Sequence, residues 1–102
     1  MGYIYLYVGT GAGKTVNGLG LALRTVGHGR RVVIVQFMKS WANTGEYKIM
    51  KKLRPKYNIY LFGRKGWINF KNPAKEDKAL AKGALSFAQK EMRKAPHLLF
   101  LD

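Results

Sequence analysis

Val8-Gly9-Thr10-Gly11-Ala12-Gly13-Lys14-Thr15 is the stretch on which the reading of this chain turns. An apolar run, residues 3–8, leads into it, and a helix-like stretch beginning at Val16 follows. A strand, a glycine-rich turn ending in Gly-Lys-Thr and then a helix make the layout of a phosphate-binding loop. The glycines let the backbone curl so that successive N–H groups point at phosphate oxygens. The following helix turns the positive end of its dipole toward the same anion. In such a loop Lys14 reaches the β- and γ-phosphates, and the Thr15 hydroxyl holds a magnesium ion. The general pattern has a glycine five positions before Gly13, where this chain has Val8. The competing reading, a glycine-rich turn with an incidental lysine, leaves the flanking strand and helix unexplained.

Outward from the loop, residues 31–37 form a continuous β-branched run suited to a parallel strand covered on both faces. Residues 15–26 read as the helix between the two strands, with Leu19, Leu23 and Val26 on one face. Gly18 and Gly20 lower its helix propensity and point to close packing against a sheet. Gly27-His28-Gly29 stops it. This is a βαβ unit, for which a right-handed crossover is expected.

After a loop at residues 38–43, a short helix is expected from a Thr44 cap to just before Pro55. Residues 58–62 read as a third strand, and residues 63–71 as a loop rich in aromatic and basic side chains. Asn72-Pro73 opens a long helix. Along it Leu80, Ala84, Phe87, Ala88 and Met92 recur at helical spacing, and Pro96 ends it. A fourth strand, residues 98–101, closes on Asp102. An apolar strand ending in aspartate, downstream of such a loop, is how these proteins present the second carboxylate of the magnesium site.

The 102 residues allow one domain, 1–102, with a modest core. There is no cysteine, which excludes disulfides and thiolate metal sites, and only two histidines, His28 and His97. No apolar run is long enough to span a membrane, so a cytoplasmic protein without membrane contact is expected. The net charge is +14, and Lys48, Lys51, Lys52, Arg54, Lys56, Arg64, Lys65 and Lys71 crowd one segment without an acid. That segment reads as a nucleic-acid or polyphosphate footprint, as a solvated face, or as part of a longer chain whose acids lie elsewhere. The last two are preferred, and nucleic acid is not the expected partner.

With these pieces in place the chain resembles the P-loop family of ATP:cob(I)alamin (corrinoid) adenosyltransferases. The likeness is carried by Thr10-Gly11-Ala12-Gly13-Lys14-Thr15, which has no glycine at position 8, and by Gly20-Leu21-Ala22-Leu23-Arg24 with Gly27-His28-Gly29. It continues in Val33-Ile34-Val35-Gln36-Phe37-Met38-Lys39, Asn43-Thr44-Gly45-Glu46, Gly66-Trp67 and Leu99-Phe100-Leu101-Asp102. Departures are Ala12 where the family has a second lysine, Ser40 for a usual glycine, and Phe70 displaced from its usual spacing after Trp67.

The resemblance implies a RecA-like α/β fold, a mostly parallel sheet sandwiched by helices. In that fold a later strand separates the P-loop strand from the Asp-bearing one, so the chain is expected to be the N-terminal part of a longer domain. The implied reaction moves the 5′-deoxyadenosyl group of ATP onto the reduced cobalt of a corrinoid and releases triphosphate. Cobalt is itself the nucleophile, so no general base is needed. Lys14 and Thr15 are the implied catalytic residues. Gly9, Thr10, Gly11, Ala12, Gly13, Lys14, Thr15 and Val16 would line the nucleotide, and Thr15 and Asp102 would hold magnesium. Gln36, Lys39 and Glu46 would lie near the nucleotide or corrinoid, and Trp67 and Phe70 would wall the corrinoid from water. A homodimer and a cobalt-reducing electron-transfer protein are the implied protein partners. Two rival readings stay open from the residues alone: a generic P-loop ATPase, and a non-catalytic basic module that binds nucleic acid.

Overall fold

Val32, Val33, Ile34, Val35 and Gln36 are all buried, and among the described residues they form the middle of a three-stranded parallel sheet. In this computed structural model the described residues are 12–37, 43–63 and 75–102, with side chains in the last segment from residue 78 onward. The elements run α1 (Lys14–Gly27), β1 (Val32–Phe37), α2 (Gly45–Lys48), α3 (Met50–Leu53), β2 (Tyr57–Phe62), α4 (Lys75–Arg93) and β3 (Leu98–Leu101). The strand order is β2-β1-β3, with Ile34 opposite Ile59 on one side and opposite Phe100 on the other. The strand expected at residues 3–8 lies outside the described residues.

A strand covered on both faces needs no polar alternation, and β1 has none until Gln36. One face packs Ala22 of α1, Met50 of α3, and Val32, Ile34, Tyr57 and Ile59, with Leu19, Val26, Leu98 and Phe100 around them. The opposite face packs Val33 and Val35 against Ala84 and Ala88 of α4, with Phe87 and Leu99 alongside. Phe87 also meets Tyr60 and Phe62, at ring-centroid separations of 4.5 and 5.4 Å. Parity along the strand therefore assigns even-numbered β1 residues to the α1 side and odd-numbered ones to the α4 side.

The helix faces differ in detail from the sequence pattern. On α1 the buried residues are Gly18 and Ala22, whereas Leu23 is 64% exposed. The small residues are inside because α1 lies close on the sheet: a Cβ built on Gly18 would overlap the tip of the Phe100 ring. The same reasoning fails for Gly20, which is exposed and has nothing near it among the described residues. On α4, Ala84 and Ala88 are buried, but Met92 is exposed and the next inward position is Glu91, salt-bridged to Lys94 at 3.3 Å. Gly29, at φ 73°, ends α1 as expected, its N–H donating to the Val26 carbonyl.

The helix expected from Thr44 to Pro55 is two single turns, α2 and α3. Thr44 caps α2 by position, with extended backbone, but its side chain makes no capping bond. The turns are tied to the edge strand instead. The buried Ile59 N–H, on the side of β2 away from β1, donates to the Met50 sulfur at 3.2 Å, and the Tyr57 hydroxyl donates to the Glu46 carbonyl at 2.9 Å.

Burial, with Glu46 adding a smaller repulsion, pushes the Tyr57 phenol up to about 12 from its ordinary 10.0. The folded state thus prefers the neutral phenol. Its contribution is complete below the unfolded value near 10 and is lost as pH climbs through 12. Tyr57→Phe is expected to cost about 1 kcal/mol at neutral pH, the worth of one hydrogen bond. Urea midpoints should then converge between wild type and variant from pH 10 to 12; a constant gap would contradict the buried phenol.

Candidate functional site at the head of helix α1

Gly13 supplies the backbone shape on which the site depends. It sits at φ 105°, ψ −8°, a left-handed conformation that a side chain would strain, and it is the N-cap of α1. Its carbonyl accepts the first helical hydrogen bond, from the Asn17 N–H at 2.9 Å. No side chain caps the helix, and its first turn carries no acid. The positive end of the helix dipole lies at this point, a setting that favours negative charge. Ala12, Lys14 and Val16 are exposed there, and Thr15 is half-buried.

The far end of the described chain meets this helix head. The Thr15 hydroxyl donates to Asp102 Oδ1 at 2.9 Å, bridging positions 87 residues apart. Asp102 continues the β3 ladder beyond Leu101: its N–H donates to the Val35 carbonyl at 2.9 Å, and its carbonyl accepts from the Phe37 N–H at 2.8 Å. Its backbone is thus fixed by β1 before its carboxylate does anything. The second oxygen, Oδ2, accepts from Gln36 Nε2 at 3.1 Å. Gln36, 2% exposed, stands on the α1 side of β1, two residues beyond Ile34, just as Asp102 stands two beyond Phe100.

The donors assembled here are oxygens, a hydroxyl and a carboxylate, which suit a hard cation such as magnesium. Among the described residues no three His, Cys, Asp or Glu side chains cluster. A cation at Thr15 and Asp102 would have to complete its shell with phosphate oxygens and water, as magnesium in nucleotide sites does.

The structure brings together three of the residues singled out from sequence: Thr15, Asp102 and Gln36. Lys14 and Val16 begin the same helix, and Ala12 and Gly13 lead into it. Gly9, Thr10, Gly11, Lys39, Trp67 and Phe70 lie outside the described residues. Glu46 uses its backbone carbonyl to hold Tyr57. Arg24 and His28 are exposed on the last turn of α1 and at its C-cap. Of the basic segment, Lys48, Lys51, Lys52, Arg54 and Lys56 are exposed, and the remaining three lie outside the described residues. Sequence reasoning placed Gln36 near a ligand and missed its hydrogen bond to Asp102. The shared two-residue step after Ile34 and Phe100 carried that information, once the register was known.

The sequence matches the ATP:corrinoid adenosyltransferase BtuR/CobO/CobP family over residues 1–102. It is 38% identical over 63 residues to a corrinoid adenosyltransferase of Escherichia coli K12 and, to the same extent, to the corrinoid adenosyltransferase CobA of Salmonella typhimurium. In both cases the match covers 61% of this chain and 32% of the relative. A corrinoid adenosyltransferase of Pseudomonas aeruginosa is 32% identical over 62 residues, 61% of this chain and 30% of the relative. The aligned part is thus under a third of each relative's length. No solved structure matches the chain.

Proposed function

Because the chain belongs to the ATP:corrinoid adenosyltransferase family, we propose that it forms the ATP-binding part of an enzyme that transfers the 5′-deoxyadenosyl group of ATP to the reduced cobalt of a corrinoid, releasing triphosphate. The observation that carries this reading is the Thr15–Asp102 hydrogen bond at the head of α1. It joins a Gly-Lys-Thr turn to an aspartate at the carboxyl end of a parallel strand, where open α/β sheets bind their ligands.

The bond to be broken joins the ribose 5′ carbon to the α-phosphate oxygen, and cobalt brings the electron pair. The protein's task is to hold ATP in line and to take up the charge that accumulates on the departing triphosphate. The α1 amides and the Lys14 ammonium do so by direct contact with phosphate oxygens. Thr15 and Asp102 would hold a magnesium ion, which would supply further neutralisation of the phosphates. Charge on a leaving group is greatest as the bond breaks, so these contacts strengthen toward the transition state.

An anaerobic incubation with magnesium-ATP and chemically reduced cobalamin tests the proposal. Adenosylcobalamin, followed by its visible spectrum, is expected to appear with one triphosphate per cobalt. ADP and inorganic phosphate in its place would identify a hydrolytic P-loop enzyme instead.

A further inference from the structure

We infer that Gln36 is the positioning residue of the metal-binding carboxylate: its amide sets the angle at which Asp102 presents itself to the cation. The inference rests on the assignment of Asp102 to the magnesium site made above. It gives Gln36 a role exerted through Asp102, beyond the nearness to nucleotide or corrinoid expected from sequence.

Three observations carry it. The parallel register pairs Val35 with Leu101, so the next residues on each strand, Gln36 and Asp102, are cross-strand neighbours on the α1 side of the sheet. The Gln36 Nε2–Asp102 Oδ2 bond is 3.1 Å long, and Oδ1 is meanwhile held by Thr15 at 2.9 Å. The carboxylate is therefore gripped at both oxygens, from β1 and from α1. Finally, Gln36 is a buried polar side chain that follows four buried apolar residues in β1, before Phe37. Burying an amide costs free energy unless it is hydrogen-bonded, so its place there needs a partner, and Asp102 is that partner.

The residue type fits the task. A lysine or arginine at this position would grip the same oxygen but cancel its charge, and would compete with the cation. An amide donates a hydrogen bond while leaving the full negative charge for the metal. Unlike a lysine, it also has no ionisable proton of its own. With Oδ2 held by Gln36, the carboxylate would keep its orientation when a cation is bound. Partners of this kind around a metal site are typically worth roughly 10- to 100-fold in metal affinity.

The test is the magnesium dependence of ATP binding in Gln36→Met and Gln36→Asn, measured by titration calorimetry with and without the metal, alongside thermal melting. Methionine keeps the length and fills the site, so folding is expected to persist; asparagine keeps the amide but is too short to reach Oδ2. Both variants are expected to bind metal-free ATP within about twofold of wild type, and to need roughly tenfold more magnesium for the metal-dependent gain in affinity. A melting temperature that is unchanged, or raised by methionine, together with this loss would separate positioning from mere packing. Variants that are less stable yet keep the wild-type magnesium requirement would overturn the inference and leave Gln36 a structural residue. A wild-type protein whose ATP binding ignores magnesium would overturn the metal assignment of Asp102 itself, a different outcome from equal dependence in all three proteins.

Discussion

Lys14→Ala is expected to remove ATP binding from the measurable range while leaving the far-UV circular dichroism unchanged. Lys14 is the first residue of α1 and is exposed, directly after the left-handed Gly13. Its backbone begins the helix whatever the side chain, and alanine is the best helix former at that position. What disappears is the ammonium that, under the proposed function, contacts two phosphates. Hydrogen bonds to charged groups contribute about 1.5–3 kcal/mol each, so the loss of two such contacts lowers affinity by roughly two to four orders of magnitude. Titration calorimetry with magnesium-ATP reads this directly. An alanine variant that binds ATP within a factor of a few of wild type would refute the phosphate-loop assignment and with it the proposed reaction.

The second large effect concerns stability. Gly18→Val is expected to destabilise the protein by about 3 kcal/mol, a large share of the 5–15 kcal/mol typical of a folded domain. The reason is local. Three atoms at the tip of the Phe100 ring occupy the space a Cβ at position 18 would take. The ring belongs to the core that α1 shares with β1 and β3, so its retreat opens packing elsewhere. Valine adds two methyls and a restricted rotamer to that overlap. Gly20→Ala supplies the control, because its helix position is open among the described residues. It is expected to stabilise the helix by about 0.5–1 kcal/mol. Phe100→Leu in the Gly18→Val background should recover part of the loss, since it removes the ring tip. Urea denaturation of the four proteins checks the set. Equal effects at positions 18 and 20 would show that helix propensity, not the contact with Phe100, governs both.

These two glycines mark the limit of what a one-dimensional pattern can say. Both interrupt α1, both suggested close packing, and only Gly18 has a ring against it. Helical periodicity likewise nominated Leu23 and Met92 as core, and both are exposed, because alanines and a glycine lie on the faces toward the sheet. Periodicity reports which residues share a face; the distance between layers decides which side-chain sizes fit there. Element types were more legible. The β-branched run became the central strand, Gly27-His28-Gly29 ended α1, and the run before Asp102 became β3. Each of these rests on local chemistry: burial on two faces, a residue tolerant of positive φ, and an apolar run closed by a charge.

For the site, the turn into α1 was readable because its shape is local: a glycine free to take positive φ and a helix that starts at once after it. Asp102 was readable as a candidate only in combination with that turn. The sequence by itself determined the parallel α/β character and the chemical types gathered at the head of α1, which the proposed function assigns to a nucleotide and its cation. Tertiary structure alone decided that Thr15 and Asp102 meet across 87 residues, and that Gln36 grips the opposite carboxylate oxygen. Both contacts depend on strand register, and register is set by how two cores pack on opposite faces of one sheet. A shift of one residue between β1 and β3 would have turned Asp102 toward α4.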